Sequence, residues 1–164
     1  MTDSGPPGLH PLLAPLAFLV GTWRGEGIGG HPDIEDFPYA QEASFVPLPG
    51  KPAIGYSSRT WRPGTLQPLA TEVGFWRMAG PEGQRVVELM LAHPFGIVEL
   101  YVGTVAGTKI ELTSNVTVRT ATARTVERSE RLYGLVEGDL AYAVDMAAEG
   151  HPLTPHLSAR LVRS

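Results

Sequence analysis

The chain has 164 residues, 43% apolar and 18% charged, with a formal net charge of −4 and no cysteine. That balance builds a hydrophobic core and excludes intrinsic disorder, while the missing thiols exclude disulfides, thiolate metal sites and cysteine nucleophiles. The 13 Lys and Arg residues are scattered, so no basic stripe exists for a nucleic-acid backbone, and no apolar run reaches the length of a membrane span.

Residues 1–9 read as a flexible terminus and residues 10–164 as one domain. His10–Val20 contains Pro11 and Pro15 and reads as a short helical segment. Leu12, Leu13, Leu16 and Leu19 share a face at helical spacing. This suits a plug packed on a sheet, and the same apolar segment offers a homodimer contact. Leu12–Val20 is too short, and lacks the charged flank, to act as a secretory signal, so the expectation is a cytoplasmic protein with no membrane partner.

Glycine and proline, 19 and 15 residues, then punctuate the chain into short runs. The runs read as strands over Trp23–Ile28, Ala40–Leu48, Ala53–Trp61, Ala70–Met78 and Arg85–Ala92. They continue with Ile97–Thr104, Lys109–Val118, Arg124–Leu135, Leu140–Met146 and Leu157–Val162. His93-Pro94-Phe95-Gly96 and Glu137-Gly138-Asp139 supply turns. Short links favour antiparallel neighbours, and ten strands with no exposed edge close into an up-and-down barrel. An all-β barrel of that width is not filled by its own side chains, which points to a bound ligand.

Chemistry-bearing motifs are few. Gly25-Glu26-Gly27-Ile28-Gly29-Gly30 is glycine-rich but precedes Pro32 rather than a helix, so it does not cradle phosphate. Five histidines occur, at 10, 31, 93, 151 and 156, none at the i, i+4 spacing of a zinc protease. On a strand, the odd spacing of His151 and His156 would aim them at opposite faces. A single histidine beside an apolar cavity suffices for haem.

Gly21-Thr22-Trp23-Arg24-Gly25-Glu26-Gly27 reads G-x-W-x-G-x-G. Its G-x-W start resembles the lipocalin and fatty-acid-binding superfamily, and the full heptad resembles the nitrobindins, small haem-binding β-barrels. His31–Tyr39, Gly50-Lys51-Pro52, Glu72–Arg77, Gly96–Glu99 and Pro152-Leu153-Thr154-Pro155-His156-Leu157 also resemble nitrobindin segments, so the likeness spans about residues 10 to 162.

The resemblance implies a ten-stranded antiparallel barrel holding one haem b per chain, with His156 as the axial ligand of the iron. It implies a ferric haem protein that binds nitric oxide and isomerises peroxynitrite to nitrate, with no catalytic residue beyond the iron held by His156. Arg124 stands where the family often has a lysine near the haem propionates, and its guanidinium can clamp a carboxylate. Phe37, Leu69 and Met146 align with apolar pocket residues. Two departures weaken the match. Asp33 replaces a threonine, placing a carboxylate where propionates are expected. Ala70 stands where a histidine is sometimes found. The distal side is expected to be apolar, without an acid or base. A rival reading is a non-catalytic carrier of a fatty acid or similar hydrophobic molecule, which the G-x-W start fits equally.

The alternation Leu157-Ser158-Ala159-Arg160-Leu161 places the apolar residues on odd positions. A regular strand would therefore turn His156 outward with Ser158 and Arg160. Iron ligation by His156 requires a bulge or bend just after Pro155.

Overall fold

The structure, a computed structural model, describes residues 5–81 and 84–164. The expectation of a flexible terminus over residues 1–9 falls partly on residues 1–4, which lie outside that range. Ten strands follow one another around a closed antiparallel barrel in which β1 closes on β10. They are β1 (Gly21–His31), β2 (Ile34–Pro47), β3 (Ile54–Trp61), β4 (Pro68–Ala79), β5 (Val86–His93), β6 (Ile97–Ala106), β7 (Lys109–Arg119), β8 (Val126–Val136), β9 (Asp139–Ala148) and β10 (Thr154–Arg163). Period-2 burial drives closure. In β6, Ile97, Glu99 and Tyr101 face inward, and Val98, Leu100 and Val102 face out. Among the described residues, no helix is long and apolar enough to cross a membrane.

Strand ends depart from the sequence reading in several strands, among them β10, which begins at Thr154 rather than Leu157. β2 begins at Ile34 rather than Ala40, with Pro38 inside the strand opposite Ile28 rather than in a turn. β8 begins at Val126, leaving Arg124 in the preceding loop. β1 runs on through the glycine-rich segment because these glycines serve close strand approach. A Cβ on Gly25 would sit 2.4 Å from the Arg160 carbonyl oxygen, and one on Gly27 would sit 2.5 Å from the Tyr39 ring. The G-x-W-x-G-x-G heptad is thus a packing device between β1, β2 and β10.

The segment before β1 is a 3-10 helix, Pro11–Leu19, with Pro15 inside it. Prolines at 11 and 15 lack the amide hydrogens that an α-helix needs. Three residues per turn aligns Leu13, Leu16 and Leu19, all fully buried, whereas Leu12 is 55% exposed. The sequence reading placed Leu12 on the buried face because it assumed 3.6 residues per turn. The three leucines plug one end of the barrel against Trp23, Phe45, Ile54 and Trp76. Of the segment offered above for a homodimer contact, Leu13, Leu16 and Leu19 are therefore inside the barrel, while Leu12 remains on the surface. Trp23 is pinned twice, by its Nε1–H donating to the Leu19 carbonyl at 2.8 Å and by the Arg163 guanidinium 4.1 Å from its ring centroid. Packing fills this half of the barrel and leaves the opposite half hollow.

Candidate functional site

The hollow half is a cavity of about 360 Å³ that opens where β1 turns into β2 and β9 into β10. That volume lies at the lower end of the range for small-molecule sites. His156 lines it. The β10–β9 register pairs Pro155 with Asp145 and Leu157 with Val144, so His156 is the extra residue of a β-bulge. The bulge removes the conflict between the alternation of β10 and an inward imidazole. His156 Nδ1–H donates to the Gly30 carbonyl at 2.8 Å. A carbonyl only accepts, so this bond places the hydrogen on Nδ1 and leaves Nε2 as the lone-pair nitrogen. Burial pulls the His156 ring toward its neutral form, outweighing the opposing pull of the Gly30 carbonyl. A neutral imidazole with one nitrogen tethered and the other bare is the state a metal-ligating histidine requires.

Two more imidazoles stand beside it. The His31 ring centroid is 6.1 Å from that of His156 and 5.4 Å from that of His151. His151 precedes β10 rather than lying in it, so the opposite-face argument does not apply to this pair. His151 Nε2 instead meets Asp33 Oδ2 at 2.6 Å. Among the described residues, no three His, Cys, Asp or Glu side chains are placed to share a metal ion. A metal in this cavity would therefore have fewer than three such protein ligands.

The other residues singled out by sequence converge on the same space. Phe37 from β2, Leu69 from β4, Met146 from β9 and Arg124 from the β7–β8 loop all line the cavity, as do Asp33 and Ala70. Leu69 and Phe95 leave 38% and 53% of their surface exposed at the mouth, giving an apolar rim. Arg124 is exposed, a cation at that rim. Asp33 is bound to His151, which reduces the repulsion its carboxylate exerts on an incoming anion.

The floor of the cavity departs from the sequence reading, which expected an apolar distal side without an acid or base. Glu72 accepts from Arg131 at 3.1 and 3.0 Å and from the Tyr56 hydroxyl at 2.6 Å. Arg131 also donates to Tyr101 at 3.2 Å and to Tyr133 at 3.0 Å. Glu99 accepts from Tyr101 at 2.8 Å and pairs with His93 Nε2 at 2.6 Å. A second cluster joins the Tyr142 hydroxyl to Gln41 at 2.5 Å and to the Tyr39 hydroxyl at 2.7 Å, with Gln41 donating to Ser58 at 2.8 Å. Burial raises the Glu72 carboxyl, but the charge and hydrogen bonds of Arg131 prevail and hold it at about 2. Glu99 is likewise raised by burial and, on balance, lowered by His93 and Arg131. Burial pushes Tyr39 up to about 12, so its hydroxyl stays protonated. The signal for this layer was present in the alternation. Glu99 falls between Ile97 and Tyr101 on the inward face, and Arg131 between Ser129 and Tyr133.

Comparison with known proteins agrees with this architecture. A 61% identical protein of Frankia casuarinae, aligned over 94% of this chain and 87% of its own length, is named "Peroxynitrite isomerase". One from Thermobifida fusca, 40% identical over 94% of this chain and 95% of its own, is named "Ferric nitrobindin-like protein". The crystal structure of Rv2717c from M. tuberculosis superposes with a TM-score of 0.86 at 38% identity, covering 95% of this chain and 99% of that one. The family model described as THAP4-like, heme-binding beta-barrel domain matches residues 12–163. With a closed ten-stranded barrel, a plugged end and a cavity at the other, this chain belongs to that family.

Proposed function

We propose that this chain binds one haem b through His156 Nε2, keeps it ferric, binds nitric oxide and isomerises peroxynitrite to nitrate. The observation that carries the reading is the bulged His156, its Nδ1 tied to Gly30 and its Nε2 bare in a partly apolar cavity. The donor set fits the group: one neutral imidazole, apolar walls from Phe37, Leu69 and Met146, and a cation at the rim in Arg124. The names carried by the relatives supply the reaction. Bound there, haem supplies an iron centre at which small nitrogen oxides react. The chain's own residues do the rest. His156 holds the group, the Gly30 carbonyl orients His156, the three walls exclude water, and Arg124 neutralises peripheral carboxylates.

Hemin titration tests the reading. A sharp Soret band forms in the wild type and is lost in His156→Ala, and the loaded wild type converts peroxynitrite to nitrate. Absence of the band in the wild type refutes it. The carrier reading is disfavoured by the floor, since an acyl chain filling the cavity would end against Glu72, Arg131 and Glu99. Displacement of a fluorescent fatty acid by hemin separates the two readings.

A further inference from the structure

The buried layer beneath the walls has one member whose chemistry is unused above. His93 ends β5, and its side chain, 10% exposed, lines the cavity. In the strand order, β5 and β10 lie five places apart in either direction, so His93 and His156 stand on opposite walls at the same end. His31 shares the His156 wall, on β1. His93 is therefore the histidine across the cavity from them.

Its hydrogen-bond partners determine which nitrogen is available. The Tyr101 hydroxyl donates to Glu99, and Arg131 Nε–H donates to the Tyr101 oxygen. Glu99 is an ionised acceptor, so its 2.6 Å contact with His93 Nε2 requires the hydrogen on Nε2. In the neutral ring, Nδ1 then carries the lone pair. Its nearest carboxylate atom is Glu72 Oε2 at 3.9 Å, too far for a hydrogen bond. Phe95 stacks on the ring at 5.1 Å and 29°, fixing its plane. The groups facing His93 are Glu72 from β4, and Glu99 with Tyr101 from β6. Behind them stand Tyr56 from β3, and Arg131 and Tyr133 from β8. Two carboxylates against one guanidinium leave this layer one negative charge in excess, which a proton on His93 would cancel.

Resting on the haem reading, we propose that His93 Nδ1 is the proton acceptor for small weak acids that enter the cavity as neutral molecules and remain there as anions. The H–X bond breaks, its electron pair stays on X, and a new N–H bond forms at Nδ1. The imidazolium then lies between Glu99 and Glu72, and can donate to the anion it has produced. Peroxynitrous acid belongs to this class of ligand.

The test uses hemin-loaded protein with cyanide as the probe, at neutral pH where the ligand is hydrocyanic acid. Soret shifts report binding, and an indicator dye in weakly buffered solution reports protons. The wild type is expected to release close to no proton per cyanide bound and His93→Gln about one, with association slowed about 100-fold. The defect should shrink in alkali, where the anion enters directly. Glutamine retains an amide donor for Glu99, and circular dichroism confirms folding. Nitrogen-15 NMR of the haem-free protein should show His93 as the Nε2–H tautomer. Wild-type rate and proton count in a folded, Soret-positive His93→Gln overturn the inference and leave the haem reading standing. A wild type with no Soret band overturns both.

Discussion

Replacing Arg131 with methionine should destabilise the barrel by about 3–5 kcal/mol, the usual result of breaking a buried ion pair from one side. The guanidinium is 5% exposed and its partner Glu72 17%. Its loss removes two bonds to Glu72 and one each to Tyr101 and Tyr133. The magnitude has a second derivation. Glu72 lies at about 2 rather than its ordinary 4.5, which at ~1.4 kcal/mol per pH unit is about 3 kcal/mol. A depressed carboxyl gives its stabilisation in full above the unfolded value, and loses it as pH falls from about 5 toward 2. Urea unfolding of the haem-free protein across pH 3–7 measures this. The wild type should lose stability through that window, and Arg131→Met should show a flatter profile. At pH 7 its melting temperature should fall by about 10 °C. Adding Glu72→Gln should cost less than the sum of the single changes by about 2 kcal/mol, because the orphaned carboxylate is gone. A loss below about 1 kcal/mol in Arg131→Met, or strict additivity in the double variant, would refute the reasoning.

Other expectations follow from the plug, the heptad and the rim. Leu16→Ala should cost about 2–5 kcal/mol in chemical unfolding and Leu12→Ala close to none, since only Leu16 faces the barrel interior. Gly27→Ala should cost about 1–3 kcal/mol and disturb the cavity through Tyr39, read as a changed hemin affinity. Arg124→Ala should speed hemin loss to a scavenger protein about two- to fivefold, more at low salt than high, as expected for an exposed ion pair. Equal loss rates at all salt concentrations would remove Arg124 from the propionate site.

The order and approximate limits of the ten strands were legible because turn chemistry and period-2 alternation are local properties of the chain. The helical segment was legible too, but its pitch was not, because two prolines changed the period and so which leucines are buried. His156 could be singled out only through a family likeness, since its own strand pattern pointed it outward. The bulge at Pro155–Leu157 that reverses this is a mismatch between two strands, invisible in either alone. The Gly30 carbonyl that fixes its tautomer is 126 residues away. The charged floor was half-legible. Alternation places Glu99 and Arg131 inward, but their pairing joins Glu72, Glu99 and Arg131 from three strands, and only barrel closure brings them together. Sequence alone thus determined which residues turn toward the interior along the regular strands, because there that depends on neighbours one and two positions away, but not at the bulge of β10 or in the proline-bearing helix. Closure, bulge and plug decided which of them meet and which end stays hollow, because those distances are set by strands far apart in the chain.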